Sequence, residues 1–229
     1  MGRRDKYISK SKICGVFRDS IISGNANPTI SSIIETAGLN RKTFYNHFAC
    51  KDELVAWIFR RDLAEVLEVN NSDMALLLPP EDPYNFDDLP CYFRNPSATL
   101  SLNQAPFFKS LKETFSTNED YYHILLKSNM RDAFCTYLTA LFHGLFLQDI
   151  DYFLHGRSMP SEAMEFMSTF FAEGAVSYFT SPFFTQVDKN YDVSDIVPVN
   201  NLIHESMYHL VDAYQTERST SYFTDTRSF

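Results

Sequence analysis

Ile13, Val16, Phe17 and Ile21 recur at i, i+3, i+4 and i+8 near the start of the chain. That spacing places them on one face of a helix. Gly24 follows and can supply the left-handed residue that ends it. Ile30, Ile33, Ile34 and Ala37 write a second, shorter helical face between Thr29 and Gly38. Thr29 stands where a hydroxyl can accept an otherwise unpaired backbone N–H at the helix start. Leu39 can plug the corner after Gly38. Asn40 caps a short third helix in which Phe44 and Phe48, four residues apart, face inward. Lys51 opens a fourth, longer helix that carries Leu54, Ile58 and Leu63 toward Val69. The second and third helices, joined by a glycine-led tight turn, form a helix-turn-helix.

The pattern then changes. Six of the ten prolines fall between residues 79 and 106. Proline removes a backbone donor and breaks helix interiors, so this stretch reads as an irregular connector packed on the domain surface, or as a lid over a ligand pocket. Helical periodicity returns over roughly 106–116, 119–154, 161–180 and 197–216. A break or bend is expected near Gly144, and breaks at Gly156 and Pro160. The TSPFF and DVSDIVPVN segments mark the last connection. The Ser/Thr-rich tail from Thr216 is expected to fray, with Tyr222, Phe223 and Phe229 available to dock. No alternating strand pattern persists, so the expected fold is all-α.

Charge is segregated along this pattern. Residues 1–51 hold nine Lys/Arg against Asp5, Asp19 and Glu35, a net of +6. Residues 52–229 hold eleven against twenty-six acidic residues, a net of -15, which together make the chain's -9. A basic head on an acidic body points to a polyanionic partner at one end. The expected division is therefore a head over 1–51 and a helical body over 52–229, with 79–106 as the connector. The N-terminal MGRRDKYISK has no apolar core of a secretory signal. The apolar stretch from Phe134 to Leu147 is too short and too polar-flanked to span a membrane. Cys14, Cys50, Cys91 and Cys135 are scattered without a C-x-x-C pair, which fits a reducing, cytoplasmic setting.

The stretch T-I-S-S-I-I-E-T-A-G-L-N-R-K-T-F-Y-N-H-F-A-C-K-D-E-L, from Thr29 to Leu54, resembles the DNA-binding signature of TetR/AcrR-type bacterial transcriptional regulators. Its T-F-Y-x-H-F-x-x-K-x-x-L core carries the likeness, which covers roughly residues 8–65. The run R-K-T-F-Y-N-H-F…L-V-A-W-I-F is also similar to the branch that includes regulators of dihydroxyacetone kinase operons, some of which answer to a protein partner. The resemblance implies double-stranded DNA as partner and roles for individual residues. Thr29 and Thr43 would contact the DNA backbone through their hydroxyls. Tyr45 and His47 would bind phosphates. Lys51 would grip a phosphate with help from the N-terminal dipole of its helix. Arg41, Lys42 and Asn46 occupy the exposed face where bases are read, Arg or Lys preferring guanine and Asn adenine. Cys50 departs from the family pattern, which has a small polar cap there; a thiol is a weak acceptor and starts the fourth helix less firmly.

Thirty of the 35 aromatic residues lie beyond residue 51. Such density builds a core, and it could also line a cavity for a flat, apolar effector. The candidates for such a cavity are Phe108, Phe115, Tyr122, Phe134, Tyr137 and Phe142. His123, His143, His155, His204 and His209 show no metal-ligand spacing, and no metal or cofactor is expected. No nucleophile elbow, P-loop or dinucleotide fingerprint is present, so an enzyme is not expected. Phe166, Phe170, Phe171 and Tyr178 stud one late helix; Ile203, Met207, Leu210, Val211 and Tyr214 stud another. The resemblance implies that these helices form a homodimer interface, and one short recognition helix alone reads too few bases to select a site. The expected function is a repressor released from a palindromic operator by an effector in the body. The alternative is a regulator, possible as an activator, controlled by a partner protein docking on that body.

Overall fold

The computed structural model describes residues 3–79, 82–84, 86, 88–98, 101–185 and 196–224, with side chains from residue 7 to 183 and from 196 to 215 within those ranges. The head contains α1 (Arg3–Ile22), α2 (Ile30–Thr36) and α3 (Arg41–Tyr45), and α4 (Lys51–Asn70) leads out of it. The body contains α5 (Ala105–Thr117), α6 (Glu119–Leu126), α7 (Arg131–Leu154), α8 (Ser161–Thr180) and the short α9 (Pro182–Thr185). It closes with α10 (Ile196–Asn200), a π-turn over Asn201–Glu205, and α11 (Ser206–Thr224). No strand occurs among the described residues; the isolated bridges Leu77–Tyr92 and Pro96–Leu102 shape the connector. The fold is all-α, as the periodicity predicts.

The local signals work as their chemistry requires. Thr29 accepts the Ser32 N–H and Asn40 accepts the Thr43 N–H, at 3.1 and 2.9 Å. At the corner of the helix-turn-helix, Gly38 sits at φ 61°, the Leu39 N–H reaches the Ile34 carbonyl and the Gly38 N–H that of Glu35. This is the two-bond helix terminus that demands a left-handed residue, with Leu39 as its apolar plug.

Three features differ from the pattern-based expectation. The long helical stretch does not break at Gly144: α7 runs without interruption from Arg131 to Leu154. The break falls earlier, at Lys127–Met130, where the Ser128 hydroxyl donates to the Leu125 carbonyl and accepts the Met130 N–H. A serine side chain competing for backbone partners ends a helix more readily than a glycine whose neighbours pack tightly. α11 continues to Thr224, past the expected fraying point at Thr216. The side chains of Tyr222 and Phe223, and Phe229 altogether, lie outside what is described. The connector also goes deeper than a surface segment: Phe86, Cys91, Tyr92, Phe93 and Leu102 are buried. Its prolines exclude a helix, while its aromatic rings supply core, Tyr92 packing edge-on against Phe107 at 4.7 Å.

α7 packs along α8 and also touches α4 and α11. A buried polar seam joins the connector to the terminal helices. The Tyr92 hydroxyl donates to Asp149 at 2.5 Å, and Arg94 Nε donates to the same carboxylate at 2.9 Å. His204 Nε2 lies 3.1 Å from both Asp149 and the Tyr92 hydroxyl. The extra residue per turn at Asn201–Glu205 accompanies this inward-facing histidine. Asn200 accepts the Gln104 backbone N–H at 2.6 Å in the same seam.

Burial here has a consequence at alkaline pH. The Cys14 and Cys91 thiols are pushed from 9.0 up to about 12, chiefly by burial. Burial likewise raises the hydroxyls of Tyr92, Tyr121, Tyr122 and Tyr137. Both sets are neutral in the folded and unfolded chains at neutral pH. As pH rises past 9, the unfolded chain loses thiol protons that the folded chain keeps, which favours unfolding. Stability should therefore be complete below pH 9 and fall as pH approaches about 12, by a few kcal/mol per thiol at its limit. Urea midpoints measured across that range test this; a flat profile would contradict it.

Candidate DNA-binding surface

The head is a small aromatic-aliphatic core with a helix held on its outside. Ile13, Phe17 and Ile21 of α1, Ile33 and Ile34 of α2, Phe44 of α3 and Leu54 of α4 are buried together. Phe44 lies 5.8 Å from Phe48, and Phe48 lies 6.1 Å from Trp57, ring centre to centre. Burying these rings on one side of α3 leaves its other side to solvent. Arg41, Lys42, Tyr45 and Asn46 are all exposed there, and Tyr45 keeps 51% of its surface open while its ring stands edge-on to Phe44. α3 carries two cations and no carboxylate.

Thr29, Thr43, His47 and Lys51 surround this face with more local engagements. The Thr29 hydroxyl is also used within α2, donating to the Ser32 hydroxyl, and Thr43 donates to Asn40. His47 is half-buried, its Nε2 2.7 Å from the Ser9 hydroxyl. Lys51 donates to Asn27, joining the start of α4 to the loop that leads into Thr29. Ser9 and Asn27 were not singled out from the sequence. Ser9 is 38 residues from its partner, and nothing in a lone helical serine announces such a contact.

The start of α4 bears out the reasoning about Cys50: its side chain makes no capping hydrogen bond. Glu53 compensates in part, accepting the Ala49 N–H at 2.5 Å. This resembles the acidic half of a capping box, displaced by one residue to the N–H before the cap, and the hydroxyl half is missing. Cys50→Ser should supply that half and stabilise the protein by about 0.5–2 kcal/mol, read as a raised denaturation midpoint. An unchanged or lowered midpoint would refute it.

In the body, the six rings considered as a cavity lining are each buried against other rings. Tyr122 stacks on Phe134 and meets Phe115 edge-on at 4.9 Å; Phe108 stacks on Phe179 and Phe142 on Phe146. Tyr137 stacks on Tyr84 of the connector. Two open grooves of about 840 and 720 Å³ lie elsewhere. The first is lined by residues including Asn70, Lys109 and Val197, the second by residues including Asp82, His143 and Met164. Among the described residues no group of three His, Cys, Asp or Glu is placed to hold a metal, and no helix is long and apolar enough to cross a membrane. The late-helix apolar residues divide: Phe171, Ile203, Met207 and Val211 are buried within the subunit, while Phe166, Phe170, Tyr178 and Leu210 are exposed.

Residues 103–181, spanning α5 to α8, match the TetR_C_8 family, described as a transcriptional regulator C-terminal region. The HTH-type dhaKLM operon transcriptional activator DhaS of Lactococcus lactis subsp. lactis (strain IL1403) is 36% identical over 75 residues, 32% of this chain. That match spans only 39% of the relative's own length. A solved structure, the dihydroxyacetone kinase operon activator DhaS, covers 91% of this chain and 96% of its own, at 18% identity and a TM-score of 0.45. With a helix-turn-helix at its head, an all-helical body and that match over α5 to α8, this chain is similar to the TetR family of transcriptional regulators.

Proposed function

We propose that the protein binds a palindromic operator as a homodimer in the cytoplasm, placing α3 of each subunit in successive major grooves. It acts by binding and not by catalysis. The observation that carries this reading is the outer face of α3, where Arg41, Lys42, Tyr45 and Asn46 stand exposed on a helix fixed from behind by Phe44 and Phe48. Arg41 and Lys42 at the N-terminal end of a recognition helix are placed to meet base edges. Tyr45, His47, Lys51, Thr29 and Thr43 set the register through phosphates, which fix position without reading sequence. Phe166, Phe170, Tyr178 and Leu210 are the apolar surface offered to a second subunit. Two-fold pairing would set the recognition helices about 34 Å apart, one turn of DNA.

The body would carry the control, in the main reading through an effector whose binding releases a repressor from its operator. One observation favours the second reading, control by a partner protein docking on the body: Phe108, Phe115, Tyr122, Phe134, Tyr137 and Phe142 fill the interior by packing on other rings. The relative named as an operon activator is consistent with that reading.

The test is selection of bound DNA from a random pool, with Tyr45→Ala as control. An inverted repeat recovered by the wild type and lost with the variant supports the proposal. Recovery of no motif by folded protein contradicts direct operator binding.

A further inference from the structure

The proline-rich connector touches the head as well as the body. Lys10 of α1 holds its ammonium 4.5 Å from the Trp57 ring centre, 5.3 Å from Phe48 and 5.9 Å from Phe86. Trp57 belongs to α4, Phe48 closes the turn after α3, and Phe86 comes from the connector. A cation among ring faces is attracted by their negative quadrupoles, and more strongly where water is excluded. Burial lowers the Lys10 pKa, and nearby Asp88 opposes that shift. The neighbouring Ser9 engages His47, so two consecutive residues of α1 hold two of the residues that link the recognition helix to α4.

The same connector segment is anchored to α7. Phe86 meets Tyr137 edge-on at 6.4 Å, and Tyr84 stacks on Tyr137 at 5.6 Å. Asp82 accepts from both Arg60 of α4 and the Tyr137 hydroxyl. The Tyr84 hydroxyl is raised in pKa first by burial and then by Cys50, Asp52 and Glu53 at the start of α4. An unbroken series of contacts therefore runs from α7 through Tyr84 and Phe86 to Lys10, and from there to Phe48 behind the recognition helix.

We infer that Phe86 is a positioning residue for DNA binding: by clamping Lys10 over Phe48 and Trp57 it ties the setting of α3 to Tyr137 of α7. The inference rests on the proposed operator-binding function and gives the connector a role in it, as a strap from body to head. Anything that shifts Tyr137 or the connector would act on the recognition helix by this route, in addition to any movement of α4. Lys10 acts on rings here and not on phosphate.

The experiment compares operator affinity and its salt dependence for wild type, Lys10→Met, Lys10→Arg, Phe86→Leu and the Lys10→Met/Phe86→Leu double variant. Folding is monitored in parallel by thermal unfolding. Phe86→Leu keeps apolar bulk and loses the ring face; Lys10→Met keeps the stem and loses the charge. Each is expected to weaken operator binding by about 3- to 30-fold. Lys10→Arg should retain affinity, and the double variant should be no weaker than the worse single one, because both remove one interaction. The salt slope should stay at its wild-type value in every variant, whereas loss of a phosphate contact would make it shallower by about one per lysine. Since Lys10 is only half-buried, Lys10→Met provides the reading if Phe86→Leu fails to fold. Wild-type affinity in folded Lys10→Met protein, additive losses, or a shallower slope would each overturn the inference. Wild-type protein without salt-dependent DNA affinity would overturn the operator-binding proposal together with it.

Discussion

Arg41→Ala is expected to lower operator affinity by about 30- to 10⁴-fold while leaving binding to unrelated DNA much less affected. Arg41 is the first residue of α3 and is exposed, with its helix locked to the core through Phe44. A guanidinium there can donate two hydrogen bonds to guanine N7 and O6, and such a pair discriminates against a wrong base by about 1–3 kcal/mol. A two-fold dimer would lose the contact twice, about 2–6 kcal/mol in all. Titration of operator and scrambled duplexes at two salt concentrations separates this role from a phosphate contact. A base-reading Arg41 loses specificity with little change in salt slope. A phosphate-binding Arg41 weakens both duplexes alike and flattens the slope. Equal loss on both DNAs would therefore move sequence reading to Lys42 and Asn46.

The second large effect is on stability. Arg60 is fully buried in α4; it donates to Asp82, to the Leu89 carbonyl and, at 3.3 Å, to the Tyr137 hydroxyl, while its Nε has no partner. Asp82→Ala would strand that guanidinium without its counter-charge. Breaking a buried pair from one side costs about 3–5 kcal/mol, because the remaining charge keeps its desolvation penalty. The double variant Arg60→Met/Asp82→Ala removes both charges and should recover part of the loss. Recovery should be incomplete, since the Leu89 carbonyl and the Tyr137 hydroxyl then lose partners, at about 1–3 kcal/mol for each group left unsatisfied. Denaturant titrations with an unchanged slope give the comparison. A double variant less stable than Asp82→Ala alone would show that Arg60 stabilises chiefly through Leu89 and the surrounding rings.

These two effects differ in how far the residues alone foretell them. Arg41 is named by its place in a short motif. Its exposure follows from Phe44 and Phe48 being four apart, so that one side of a five-residue helix is committed to the core. Arg60 carries no such mark. In the sequence it is one cation among the apolar positions of α4, and only the connector's return with Asp82 and Leu89 makes it a buried hub. The same limit applies to His204, whose lack of metal-ligand spacing was legible while its contacts with Asp149 and Tyr92 were not. The helix does not break at Gly144, because packing in α7 overrides glycine's weak helix propensity.

The sequence by itself determined the all-helical class, the caps at Thr29 and Asn40, the tight corner at Gly38, the inward faces of the first four helices and the segregation of charge along the chain. All of these are set by groups within a few residues of one another, or by sums over a segment. Periodicity reports which face of a helix is buried; it does not report what covers that face. The tertiary structure alone decided that the connector's rings enter the core, that Lys10 lies among Phe48, Trp57 and Phe86, and that the Tyr92–Asp149–His204 seam joins the connector to the last helices. Those contacts join residues far apart in the chain. Many other pairings would satisfy the same apolar and polar pattern, and only packing the whole chain at once selects among them.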